Sequence, residues 1–172
     1  GMGLRRALLS VGRTTCQGTS SKKEANGAFK PRLARQRVTD WPTIVLESGV
    51  SESPQRLKVD ARWWLDNSRG DVKIALLFFV SRAAKTICIE HWEMQTSENP
   101  RLPRTYPNSM AARPTVQGSI KIDAHRVTGG TLVLKFEKIF LRAPDLARGE
   151  ENVTFTIQDL RDYYDDVWAG AH

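Results

Sequence analysis

Among the residues of this chain, Glu47 has the most scope for chemistry. It closes the run "TIVLE", rich in β-branched residues that favour a strand, and a serine-rich turn and a helix follow it. A carboxylate at a strand end can help hold Mg²⁺, a hard cation that takes oxygen ligands and one or two protein carboxylates. A metal held there would activate water and neutralise the charge that develops as a phosphodiester is cleaved. That reaction also calls for a second carboxylate and a cationic side chain close by. The competing reading makes Glu47 a solvated residue at a strand end, as most glutamates are. Other chemistries find less support. No G-x-S-x-G elbow, P-loop, G-x-G-x-x-G or Ser-His-Asp order occurs. His91, His125 and His172 are scattered, and Cys16 and Cys88 lie far apart, none at zinc-ligand spacing. The histidines read as packing or surface residues and the cysteines as free thiols of a reducing compartment.

The elements around Glu47 follow from periodicity. Ser53-Pro54 starts a helix, with serine as the cap and proline in the first turn. Leu57, Ala61, Trp64 and Leu65 then form one apolar stripe, which ends near Asn67 to Gly70. Trp63 and Trp64 read as core and helix-packing residues rather than base-stacking platforms. "VKIALLFFV" is a near-continuous apolar strand, central and covered on both faces. "SRAAK" has hairpin-loop length, and "TICIEHWEM" is the adjacent strand, antiparallel to it. Residues 95–116 carry Pro100, Pro103, Pro107 and Pro114 and read as a long irregular excursion, functional or mobile. "GSIKIDA" and "TLVLKFEKIFLR" are two more strands, with the glycines of "VTGGT" as a turn. Thr156 and Asp159 form a capping pair for a last helix carrying Leu160, Tyr163, Tyr164, Val167 and Trp168. At the other end, residues 3–13 read as a helix with Leu4, Leu8 and Val11 on one stripe. Residues 14–27 are a polar loop or hairpin turn, and "AFKPRL" is extended, with Pro31 limiting it to an edge or a strand end. This order predicts an α/β fold over residues 3–172: a single domain whose mixed central sheet is flanked by helices.

Charge is unevenly placed. The 172 residues carry a net charge of +7, yet residues 1–39 hold nine Lys and Arg against Glu24 alone, leaving the remainder at −1. A basic segment beside a near-neutral body suits an anionic partner, or is simply a solvated arm. Lys22, Lys23, Lys30, Arg32, Arg35 and Arg37 are the candidate phosphate contacts. Only Phe29 interleaves them, which gives little support to single-strand stacking. The longest apolar run, Ile74 to Val80, is too short to cross a bilayer. Gly1 ahead of Met2 is set aside as an expression remnant. The Arg-rich start resembles either a plain helix or a mitochondrial transit peptide, and the helix is the preferred reading.

The runs "ESGVSES", "DARWWL" and "GDVKIALL", with "TLVLKFEKIFLR" and the C-terminal helix, resemble a group of uncharacterised fungal proteins. That group is similar to the PD-(D/E)XK, restriction-endonuclease-like nuclease superfamily, and the resemblance covers most of the chain from about Gly3. It implies a core of helix, three strands, helix and strand, and an upstream helical portion lacking here. It makes Glu47 the acidic residue of the third strand. Ala25-Asn26 stand in place of the Pro-Asp pair, so Asn26 becomes a metal ligand with a neutral oxygen. Gly49 stands where lysine belongs. The resemblance moves the cation to the following helix, where Arg62 is nearest, with Lys58 one turn earlier. Glu24, about 6–7 Å from Asn26 on an extended segment, is a substitute carboxylate. Arg62 does not lose its proton and so cannot be a general base, but it can stabilise a pentavalent phosphate.

The expected function is therefore that of a nuclease-like, nucleic-acid-associated protein with a degenerate Mg²⁺-dependent phosphodiesterase site. Its metal residues would be Glu47, Asn26 and Glu24, assisted by Arg62 or Lys58, on DNA or RNA in the nucleus or cytoplasm. The alternative is a non-enzymatic scaffold that contacts a protein partner through the Pro-rich loop at 99–114, within the excursion at 95–116.

Overall fold

A computed structural model of the protein describes residues 7–12, 15–19, 21–50, 53–98 and 110–169. The chain opens with strand β1 (Leu8–Ser10), then a hairpin of β2 (Thr15–Gln17) and β3 (Lys22–Glu24), then β4 (Gly27–Pro31) and β5 (Ile44–Val50). Helix α1 (Pro54–Asn67) leads to β6 (Ile74–Ser81), β7 (Thr86–Glu98), β8 (Met110–Ile122) and β9 (Val127–Thr128). Strand β10 (Leu132–Leu134), the short helix α2 (Phe136–Phe140), a 3-10 turn (Leu146–Arg148), β11 (Val153–Phe155) and helix α3 (Ile157–Ala169) complete it. Seven strands form one mixed sheet in the order β1-β4-β5-β6-β7-β8-β9. All its pairs are antiparallel except β5 with β6, which are parallel and joined through α1. A parallel pair needs such a crossover. The fold is thus α/β with a mixed sheet, and it contains the expected run of three strands, helix and strand.

Each face of the sheet has its own apolar layer. The stripe Leu57, Ala61, Trp64 and Leu65 seats α1 on Val45, Ala75, Leu77 and Trp92. The opposite face presents Ile44, Ile74, Leu76, Ile87, Ile89, Ile120 and Ile122. There α2 contributes Phe136, Ile139 and Phe140, and α3 contributes Leu160 and Tyr164. Strand β6 serves both layers, which is why its sequence is apolar throughout. The capping pair holds α3 as expected, with Thr156 Oγ1 donating to Asp159 at 2.7 Å. Among the described residues, no helix is long and apolar enough to cross a membrane.

Three expectations change. The helix over residues 3–13 is not seen where it is described: Leu8–Ser10 is strand, while 3–6 and 13 lie outside the described residues. Leu8 packs in the layer under α2 and α3, and Val11 in the layer under α1. Two residues on opposite faces are spaced for a strand, not for one helical stripe. The irregular excursion at 95–116 is in large part ladder. Strands β7 and β8 pair out to Glu98 opposite Met110, and residues 99–109 lie outside the description. Pro114 is tolerated because β9 reaches only Lys121 and Ile122, so β8 is an edge strand at that level. Finally, "TLVLKFEKIFLR" is strand only to Leu134. Phe136, Ile139 and Phe140 recur at i, i+3, i+4 and form a helical turn, ended by Leu141 at φ 58°.

Two glycines behave oppositely. Gly129 has φ +99°, and a Cβ there would lie 2.1 Å from Ser119 O, whereas a Cβ on Gly118 would meet nothing within 4 Å. Gly129→Ala should therefore cost roughly 2–3 kcal/mol in urea unfolding. Gly118→Ala should stay within about 0.5 kcal/mol of the parent. Equal effects of the two would contradict this packing.

Candidate active site around Glu47

Side chains alternate along β5, so Val45, Glu47 and Gly49 face α1. Glu47 is 4% exposed within that apolar layer. Its Oε1 accepts the indole N–H of Trp64 at 2.6 Å. Trp64 stands at the centre of the α1 stripe and is fully buried, with Trp41 and Trp63 edge-on at 6.0 and 5.0 Å between centroids. The β4–β5 register runs Ala28 to Val45 and Gly27 to Leu46, so one further step sets Asn26 beside Glu47. Burial pushes the Glu47 carboxyl above its ordinary value. The Trp64 hydrogen bond, the Lys23 ammonium and the Asn26 main-chain N–H oppose that rise, while the Asp60 carboxylate adds to it.

Asp60, on α1, is the second carboxylate of the site, and Lys23 pairs with it at 2.5 Å. The β2–β3 hairpin delivers Lys23. It is tied to α1 by Trp63 Nε1 donating to Ser21 Oγ at 2.7 Å and by Thr19 Oγ1 donating to Asn67 Oδ1 at 3.0 Å. Gly18 permits this docking, since a Cβ there would lie 2.8 Å from a Trp63 ring carbon. Two carboxylates and one ammonium therefore meet at the middle of the parallel strand pair: Glu47 does not end its strand as expected, because pairing with β6 carries β5 on to Val50. Sequence reading missed Asp60. Its signal was the i, i+4 spacing to Trp64, which places it on the flank of the same stripe.

The other expected site residues are placed differently. Asn26 is exposed and its Oδ1 accepts Ser48 N–H at 2.9 Å, so this oxygen is committed to the backbone. Glu24 follows Lys23 on β3, and with Lys23 turned to Asp60 the alternation points Glu24 away; it is exposed. Arg62 is exposed, with its guanidinium over the Trp92 ring at 5.6 Å to the centroid. Lys58 pairs with Glu90 at 3.1 Å, and Glu90 also accepts Trp92 Nε1 at 2.8 Å. Glu90 aligns with Leu77, and Leu77 with Glu47, so the Lys58 pair sits two strand spacings, roughly 10 Å, from Glu47. Of the expected phosphate contacts, Lys22, Arg32 and Arg37 are exposed. Lys30 is corrected: it is 2% exposed and its ammonium donates to Arg37 O at 2.5 Å, inside the fold. Arg35 pairs with Asp71 at 2.8 Å.

Among the described residues, no three or more His, Cys, Asp or Glu side chains converge as metal ligands do. With the Asn26 oxygen committed and Asp60 paired to Lys23, the arrangement does not fit a preformed Mg²⁺ site. Charge neutralisation within it is internal, from ammonium to carboxylate.

Two measurements probe this electrostatic arrangement. A carboxyl raised above its unfolded value withdraws stability as pH climbs from about 4.5 through its folded pKa. Glu47→Gln lacks that loss, so its stability relative to the parent should rise with pH across this window. A flat difference in urea unfolding would remove Glu47 as a strained buried carboxyl. Lys23→Met removes an attraction while leaving Asp60, so the Glu47 carboxyl should titrate higher still when followed by carboxyl ¹³C NMR.

No protein-family model matches this chain, and no curated protein matches it. Among solved structures it is similar to a candidate nuclease belonging to DUF820 from Anabaena variabilis ATCC 29413. The sequence identity is 10% and the TM-score 0.41, over 93% of this chain and 71% of the other. A likeness at that TM-score carries no argument about activity, and nothing in these comparisons supports a fungal origin.

Proposed function

We propose that this chain is a nuclease-like, nucleic-acid-associated protein whose Mg²⁺-dependent phosphodiesterase site is degenerate. The observation that carries this reading is the Glu47 carboxylate, buried in an apolar layer and held by Trp64, with Asp60 and Lys23 beside it. A buried charge is expensive to keep unless its site does something that an apolar residue could not. Two carboxylates and an ammonium are the charges phosphodiester hydrolysis uses. In this reading Glu47 is the metal residue that remains and Asn26 a ligand that has lost its charge. Lys23 occupies the carboxylate that a metal would need. Arg62 and Lys58 on α1, with exposed Lys22, would meet the phosphate backbone of DNA or RNA. The net charge of +7 favours such a partner through counterion release.

A second reading has its own support. The commitment of Asn26 and Lys23 to internal contacts suits a non-enzymatic scaffold, with the long β7–β8 hairpin as the surface offered to a protein partner.

Fluorescence anisotropy on a short labelled duplex and a single strand separates the two. The nuclease-like reading expects binding at low salt that falls steeply as salt rises, and weakens in Lys22→Glu. Absence of binding at low salt sinks it. Cleavage in Mn²⁺ should be absent from the parent. Asn26→Asp combined with Lys23→Met should gain saturable Mn²⁺ binding by calorimetry, and Glu47→Ala in that background should abolish it. No gain would show that Asn26 is not a decayed ligand.

A further inference from the structure

The opposite face of the sheet carries a second polar cluster, unrelated to Glu47. Along β7, Glu90 and Trp92 face α1, so His91 and Glu93 face the layer beneath α2 and α3. Both are more than nine-tenths buried. His91 Nε2 lies 3.0 Å from Glu93 Oε1, and Lys138 of α2 donates to Glu93 Oε2. Burial would raise the Glu93 carboxyl, but the hydrogen bonds from His91 and Lys138 outweigh it and hold the group below the usual range. Glu93 is therefore an ionised acceptor, and His91 donates Nε2–H to it. That leaves Nδ1 with no partner among the described residues.

This cluster opens on a cleft of about 380 Å³ between β7, β8 and the segment around β10, which is ligand-sized. Three features of the chain build it. Opposite His91 stands Gly118, whose absent side chain leaves the space empty: a Cβ there would touch nothing within 4 Å. Next to Gly118 the ladder bulges, with His91 opposite Gly118 but Trp92 opposite Val116, so Gln117 is the extra residue and lines the cleft. Bulges re-aim side chains in this way beside functional sites. The Gly129 turn then closes tightly on Ser119 O and forms one wall.

The polar groups around the cleft specify a ligand. His91 Nδ1 is left for a hydrogen-bonding group of the ligand. Asn152 Oδ1 already accepts Phe136 N–H at 3.0 Å, so its amide N–H groups remain to be accepted. Lys135 is exposed at the rim, and among the described residues no ion pair neutralises it, whereas Lys138 is balanced by Glu93. We propose that this cleft is a binding site for a small organic anion, whose phosphate or carboxylate meets Lys135 and Asn152 and whose second polar group hydrogen-bonds His91.

Side-chain NMR of the full chain tests it, reading the His91 imidazole and Gln117 amide signals. Uridine 5′-monophosphate is the phosphate probe and L-glutamate the carboxylate probe. Saturable shifts at both residues with either probe are expected, and which probe gives them identifies the anion. Gly118→Leu, which fills the cleft, and Lys135→Glu, which reverses the rim charge, should each weaken the response at least tenfold. Lys135→Glu changes an exposed residue, so its result stands even where Gly118→Leu loosens the fold. Silence of His91 with both probes, or unchanged affinity in Lys135→Glu, overturns the proposal and leaves the cluster a packing device.

Discussion

The hydrogen bond from the Trp64 indole to Glu47 is the constraint around which this structure is organised. A carboxylate inside an apolar layer is costly unless a donor is already in place to meet it. Trp64 supplies that donor only while α1 lies squarely across β5 and β6, and that seating depends on Leu57, Ala61 and Leu65. The bond thus couples the helix crossover to the chemistry of the strand it covers. The hairpin depends on the same helix, because Trp63 and Asn67 hold Ser21 and Thr19 while Asp60 holds Lys23. Loss of the α1 position would scatter all these groups at once.

Charge on this sheet is handled locally, in small balanced sets. On one face Lys23 answers Asp60 beside Glu47, and Lys58 answers Glu90. On the other, Lys138 answers Glu93, which His91 also hydrogen-bonds. Both faces draw on β7, whose "EHWE" stretch alternates between the layers, so one strand presents Glu90 and Trp92 to α1 and His91 and Glu93 to α2. The excess of positive charge in the first 39 residues is therefore not a uniform basic arm. Lys23, Lys30 and Arg35 are drawn into the fold, whereas among the described residues Lys22, Arg32 and Arg37 are exposed.

Much of the sheet was legible in the chain because its signals are local. The unbroken apolar run of β6, the Ser53-Pro54 start of α1 and the Thr156–Asp159 pair before α3 each need only a few neighbouring residues to be read. The errors fell where pairing with distant residues overrides local pattern. Leu8 and Val11 match a helical stripe, yet β4 offers a strand edge that takes their backbone. Pro114 looks like a strand breaker, yet it sits on the unpaired edge of β8.

The candidate site divides the same way. Sequence alone determined that Glu47 lies on a strand and that a helix with a tryptophan-bearing apolar stripe follows. Those are statements about residue type and spacing, which need no third dimension; that the strand continues past Glu47 to Val50 was set by its pairing with β6. Only the tertiary structure decided that Glu47 is buried rather than solvated, and that its donor is Trp64. The same holds for its neighbours, Asp60 and Lys23 rather than Glu24 and Arg62. The reason is that burial and hydrogen bonding are set by which distant segments are brought together. Here a hairpin some twenty residues upstream of Glu47 and a helix turn downstream of it converge on one carboxylate.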